Sequence, residues 1–227
     1  MYWEENRQAK PVTVPGDIVD MAFGIRCRSL PVDHAYALFQ ALRQVLPWLE
    51  HEPGAAVHPI HVADSGNGWM RPEDPDDRLY LSRRTRLVLR MPRHRIEAAG
   101  ALRGQTLHIA DQTMQVGEAD IRPLSVLTTL FSRYLVTDDG DDEERFLAET
   151  AKQLAARGIR PRKMLPGKAH AIRVPGATLK TRSLMLAELS VEESLQLQQQ
   201  GLGEHGHLGC GIFVPHKDIR EVVADTA

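Results

Sequence analysis

The chain is poor in the residues that mark specialised protein classes. It has only two cysteines, Cys27 and Cys210. Both lie in apolar, strand-like surroundings with no metal-ligand spacing, so they read as small core residues. Aromatic side chains make up only 5% of the sequence. No apolar run approaches the length that spans a bilayer, so no membrane association is expected. The first residues, Met1-Tyr2-Trp3-Glu4-Glu5, lack a basic stretch followed by an apolar run, and a cytoplasmic location is expected. Net charge is also small, since 28 basic residues against 30 acidic ones leave −2. That balance alone points to no nucleic-acid partner.

What is present is a core and an uneven distribution of charge. At 227 residues and 42% hydrophobic content the chain can form one large domain or two small ones. Seven arginines and no acid occur between Arg78 and Arg95, and eight basic residues and again no acid between Arg157 and Arg182. The acids gather instead at 73–77 and 138–149. One such run is usually a solvated face, but two long acid-free basic stretches make an RNA-binding surface credible.

Periodicity supplies the element order. Val19, Met21, Phe23, Ile25 and Cys27 share one parity across 18–28, the mark of a strand with one buried face, while Asp20, Arg26 and Arg28 take the other. Pro31 and Asp33 suit the start of a helix that runs to Leu49 with Ala35, Leu38, Leu42, Val45, Leu46 and Leu49 as its apolar stripe. Strands are expected at 57–62 and 79–91, a short helix over Ile96, Ala99 and Leu102, and a strand or hairpin at 105–116. The order then repeats: a strand at 124–136, a helix capped by Asp141 and Glu144 and ended by Gly158, strands at 159–165, 171–174 and 179–189, a second helix started by the capping box Ser190-Val191-Glu192-Glu193, and a last strand at 210–215. The expected fold class is α+β, two tandem ferredoxin-like (RRM-like) β-α-β-β-α-β domains at 18–122 and 123–217, with an N-terminal extension at 1–17 and a tail at 218–227.

Between the last helix and strand lies Gly201-Leu202-Gly203-Glu204-His205-Gly206-His207-Leu208-Gly209-Cys210-Gly211. Glycine permits positive φ and close backbone approach, so this segment can turn its N–H groups toward a phosphate. It contains GxGxxG, but a helix precedes it and a strand follows, the reverse of a dinucleotide crossover. Written GhGxxxxxGhG with h apolar, it resembles the signature loop of the CRISPR repeat-processing endoribonucleases, members of the repeat-associated mysterious protein superfamily. Element order extends the likeness from Ile18 to Lys217. The stretches Leu30-Pro31-Val32-Asp33-His34-Ala35-Tyr36 and Ser65-Gly66-Asn67-Gly68-Trp69 resemble a bacterial subgroup of these enzymes.

That resemblance implies metal-independent cleavage of CRISPR repeat RNA with no cofactor, a ribose 2′-hydroxyl attacking the adjacent phosphate to leave a 2′,3′-cyclic phosphate. It implies CRISPR RNA, precursor and mature guide, as partner, together with other subunits of a CRISPR effector complex as candidate partners. The chemistry needs a base for the 2′-hydroxyl proton, and an imidazole with a pKa of about 6.5 suits it. In many relatives the base lies in or just after the first helix, whereas the middle of this helix carries Phe39 and Arg43. The candidates are His34 in its first turn, His51 just past its end, and His58 in the following strand, with Tyr36 as a helper. Candidate RNA contacts are Gly201, Gly203, His205, His207, Gly209 and Gly211 in the loop, Lys168, Lys180 and Arg182, and a same-parity stripe of Arg84, Arg86 and Arg90 flanked by Arg83, Arg93 and Arg95. A non-catalytic RNA-binding subunit of an effector complex is the alternative. A phosphate-dependent metabolic enzyme is disfavoured by the absence of GxxxxGK[ST] and of a strand before the loop.

Overall fold

The computed structural model describes residues 14–61, 72, 74–138 and 142–216. The first half contains β1 (Ile18–Arg26), β2 (Ser29–Pro31), α1 (Ala35–Val45), β3 (Ala56–Val57), β4 (Arg78–Tyr80), β5 (Arg86–Pro92), α2 (Ile96–Ala99), β6 (Thr106–Ile109) and β7 (Gln112–Arg122). The second contains β8 (Leu130–Val136), α3 (Glu143–Ala156), β9 (Lys163–Val174), β10 (Ala177–Ala187), α4 (Val191–Gln200) and β11 (Val214–Pro215). The first sheet runs β3-β5-β1-β7-β6 and the second β11-β8-β10-β9. With the hairpin strand β6 set aside, each sheet places its four strands in the same ferredoxin-like order, the first between the third and the fourth. The fold is therefore α+β, two tandem ferredoxin-like units.

β1 obeys its alternation, with Val19, Met21, Phe23 and Ile25 buried in the first core. Helix α1 adds Leu38 and Leu42, and the stripe continues through Leu46 and Leu49 although the α-helix has ended. Pro47 cannot continue it, so Pro47–Glu50 forms a 3-10 turn that keeps Leu49 inward. Each large apolar side chain buried this way contributes roughly 1.5–3 kcal/mol. Leu130, Leu184, Leu186, Phe146, Leu154 and Leu197 make the second core. The separation is incomplete: Ile172, Leu208 and Cys210 of the second half pack in the first core.

Several element boundaries differ from expectation for identifiable reasons. Pro31 ends β2, which pairs with β4, and α1 starts only after His34. The strand expected at 79–91 is two, because the Ser82–Thr85 turn breaks it. The two strands expected at 159–165 and 171–174 are one, β9. Its Pro166 and Gly167 are tolerated because β9 is the sheet edge, and the pairing with β10 shifts register opposite them. Helix α3 is capped by Asp142, whose carboxylate accepts from the Arg145 N–H at 2.9 Å. Asp141, Val62 and the Ser65–Trp69 stretch lie outside the described residues.

Candidate active site at the glycine loop

Helix α4 delivers the chain to the loop. Its capping box is complete, with Ser190 Oγ accepting from the Glu193 N–H at 3.1 Å and the Glu193 carboxylate accepting from the Ser190 N–H at 2.8 Å. Gly201, at φ +61°, ends the helix. The loop then closes on itself. The Leu202 N–H donates to Gly211 O at 3.0 Å, the Gly211 N–H to Tyr134 O at 2.7 Å, and the Leu208 and Cys210 N–H groups to His205 O.

The spacing of the glycines has a packing cause. A Cβ on Gly201 would stand 2.9 Å from Gly211 O, and one on Gly211 would overlap Leu202 O. On Gly209 it would meet Pro59 Cγ at 2.9 Å and Val57 O at 3.1 Å. The apolar residue of each GhG triplet points into a different core, Leu202 into the second and Cys210 into the first. Burial pushes the Cys210 thiol up to about 12, so it stays protonated and apolar in character. Gly203 faces open space, and the N–H groups of Gly203, Glu204 and His205 take no acceptor among the described residues. This is the stretch of the loop that can face a phosphate.

Two imidazoles stand on that stretch. His205 has left-handed backbone, φ +63° and ψ +33°, and starts the short 3-10 turn Gly206–Leu208. The half-buried His207 ring lies 4.4 Å from the Phe39 ring of α1 and 5.8 Å from the His205 ring, centroid to centroid. Burial lowers the His207 pKa, its neighbours His205 and His51 push the same way, and Glu50 opposes them. His51 is exposed at the end of the Pro47–Glu50 turn, near enough for its charge to act on His207. A cleft of about 410 Å³ joins Glu50, Gly54 and Ala56 to the loop from Gly201 to Gly206.

The other base candidates are elsewhere. His34 is 5% exposed and its Nδ1 lies 2.8 Å from Pro31 O and 3.2 Å from Val32 O. It fastens the turn into α1. His58 lies against the first sheet with Nε2 3.2 Å from Asp20 Oδ1, and burial lowers its pKa, so it serves Asp20 as a neutral donor. Tyr36 is half-buried against the first core.

Comparison with known proteins decides the family. The family model described as Cas6 Crispr matches residues 19–218. The chain belongs to the Cas6 family. It is 30% identical over 197 residues to the CRISPR-associated endonuclease Cas6 of Myxococcus xanthus (strain DK1622), covering 87% of this chain and 81% of that one. Among solved structures, a Cas6-related protein from Pyrococcus furiosus superposes with a TM-score of 0.57 at 18% identity, covering 90% of this chain and 99% of the other. A RAMP protein that binds different RNA substrates gives 0.55 at 17% identity, covering 86% and 98%. These two likenesses concern the fold.

Within this Cas6 chain the expected arginine stripe does not exist. Arg83 and Arg84 are exposed in the turn before β5, and Arg86 is turned back to donate to Arg83 O and Thr85 O. Arg90 is 2% exposed and bonds Asp20 through Nε and Nη2, which corrects its expected role in RNA contact. Arg93 donates to Gly16 O, while Arg95 pairs with Glu52 and lies over the Trp48 ring. In the second half Lys168 and Lys180 are exposed on β9 and β10. Arg182 is buried between Glu143 and Gly167 O, another correction. The sequence reading missed Asp20, whose parity in β1 looked like a solvent face. Burial pushes its carboxyl up, but His58 and Arg90 outweigh that and hold it well below the usual carboxylate range.

Proposed function

We propose that this chain binds CRISPR repeat RNA and cuts it, the 2′-hydroxyl attacking the adjacent phosphate without a metal ion to leave a 2′,3′-cyclic phosphate and a free 5′-hydroxyl. The observation that carries the reading is the pair His205 and His207 on the glycine loop, with His51 near enough for its charge to act on His207, in a chain of the Cas6 family. The M. xanthus relative bears the name of an endonuclease.

His51 takes the base role, because it is exposed beside the loop while His34 and His58 are committed to buried partners. It accepts the proton from the 2′-hydroxyl as the oxygen bonds to phosphorus. The N–H groups of Gly203, Glu204 and His205 face the phosphate oxygens and stabilise the phosphorane, the role of an oxyanion hole. His205 supplies the proton to the departing 5′-oxygen. Exposed Arg83, Arg84, Lys168 and Lys180 hold the flanking backbone by charge, and this binding weakens with salt.

The test is cleavage of end-labelled repeat RNA in EDTA, with binding measured on the same samples. His51→Ala is expected to lower the rate by about 10²–10⁴ with binding retained, as loss of a general base does. The upstream product should resist 3′-end ligation until the cyclic phosphate is opened and the resulting monophosphate removed. Tight binding with no cut by the wild type would overturn the enzyme reading in favour of a non-catalytic RNA-binding subunit.

A further inference from the structure

We propose that Arg90 is a positioning residue for this site, a clasp from the first half that closes both stems of the glycine loop. What the loop does to RNA rests on the function proposed above, whereas the clasp itself stands on geometry. In the β1–β5 register Arg90 lies directly opposite Asp20, so both side chains project from the same sheet face. Asp20 receives Arg90 Nε at 2.8 Å and Nη2 at 3.0 Å, a bidentate pair that fixes the guanidinium plane. His58, from the segment after β3, lies against the same carboxylate at 3.2 Å.

The remaining nitrogen points across to the second half. Arg90 Nη1 donates to Gln198 O at 2.9 Å and to Phe213 O at 2.8 Å. Gln198 O belongs to the last turn of α4, where carbonyls lack helical donors and a cation is favoured. Phe213 is two residues past Gly211. The two carbonyls therefore bracket the loop, one on the stem that enters it and one on the stem that leaves. A buried ion pair that served only its own sheet would have no reason to spend a nitrogen on these two atoms.

The loop is held on its inner side by Leu208 and Cys210 in the first core and on its stems by Arg90. Those attachments place His207 over Phe39, with the His205 ring 5.8 Å from it at the end of the outward stretch. Lysine retains the charge but has no fork, so it cannot hold Asp20 on one edge and two carbonyls on another.

The experiment compares wild type, Arg90→Lys and the double variant Asp20→Leu/Arg90→Met, which removes both buried charges together and leaves neither unpaired. Amide hydrogen exchange over residues 202–211 should quicken at least about tenfold in both variants, with β6 and β9 amides unchanged. Single-turnover cleavage at saturating repeat RNA should fall about tenfold to a hundredfold, as misplacement by about an ångström does. A purely structural pair would lower the unfolding temperature and leave the saturated rate of the folded fraction untouched. If one variant fails to fold, the other decides. Wild-type loop protection and wild-type cleavage in a folded variant overturn the clasp. If wild-type protein does not cut at all, the functional reading fails, and the exchange comparison still answers whether Arg90 holds the loop.

Discussion

Gly203 and Gly211 both have positive φ and differ in what surrounds them, so replacing each by alanine separates two effects that glycine loops usually confound. Gly203 has φ +81° with nothing within 4 Å of a Cβ; Gly211 has φ +68° with Leu202 O in the way. A non-glycine residue in the left-handed region costs roughly 1–2 kcal/mol, and both variants incur it. Gly211→Ala must also displace the Leu202 carbonyl, and with it the Leu202–Gly211 and Gly211–Tyr134 hydrogen bonds, each contributing about 1 kcal/mol. The totals are roughly 1–2 kcal/mol for Gly203→Ala and about 3–4 kcal/mol for Gly211→Ala. For a chain of this size 1 kcal/mol shifts the unfolding temperature by roughly 2–4 °C. Scanning calorimetry without RNA should find drops of about 2–8 °C and about 6–16 °C respectively. Equal drops for the two variants would refute the claim that GhG spacing is set by packing.

Three further outcomes follow from other parts of the molecule. Burial holds the His58 pKa below 6.5, so below pH 6.5 the unfolded chain takes up a proton that the folded chain refuses, and stability declines as pH falls. His207 adds to this for the same reason, and the depressed Asp20 carboxyl adds a steeper loss below its unfolded value of 3.8. Unfolding temperatures of His58→Gln between pH 7 and 5 should fall less than those of the wild type; an identical slope would remove His58 from the account. Cys210 should ignore a thiol reagent at pH 8 in the folded protein, since burial pushes its thiol up to about 12, and equal native reactivity of Cys27 and Cys210 would contradict its place in the first core. Glu193→Ala should cost more than the roughly 1 kcal/mol expected of Ser190→Ala, because Glu193 also accepts from the Arg160 N–H at 2.8 Å. Urea titrations in the reverse order would show that this link between α4 and the segment before β9 carries no energy.

What the sequence discloses about this molecule is whatever is local. The buried parity of β1, the stripe of α1, the capping box at Ser190 and the C-terminal glycine of α4 are each written within one turn or one strand, and each appears in the structure. The GhG pattern is local too, and it falls on the segment that reaches both cores. Register and face are not local. Asp20 and Arg90 are 70 residues apart, and nothing in either strand reveals that they stand opposite one another. Parity assigned both to solvent because the opposite parity was apolar. That inference holds for a sheet covered on one side only, and here the two stems of the glycine loop, at Gln198 and Phe213, lie against the Arg90 side. The burial of His34 is hidden for a related reason: the first turn of a helix is usually open, but this ring turns back to the Pro31 and Val32 carbonyls.

The same reasoning explains why two short triplets and five intervening residues suffice to build the site. A loop that joins a helix to a strand within one unit needs only a turn. This loop also has to fasten one unit to the other, so Leu202 enters the second core, Cys210 enters the first, and the glycines beside them remove the Cβ atoms that would keep the chain segments apart. Of the five residues between the triplets Leu208 also enters the first core, and the turn from Gly203 through Glu204 to His205 keeps N–H groups that take no acceptor among the described residues. Packing consumes the ends of the motif and leaves its first outward residues free for the RNA chemistry proposed above. Substitutions at Leu202 or Cys210 should therefore disturb stability first and RNA handling as a consequence, whereas His205→Ala should spare stability and weaken RNA cleavage. A His205→Ala protein that unfolds early but cuts normally would break that division of labour.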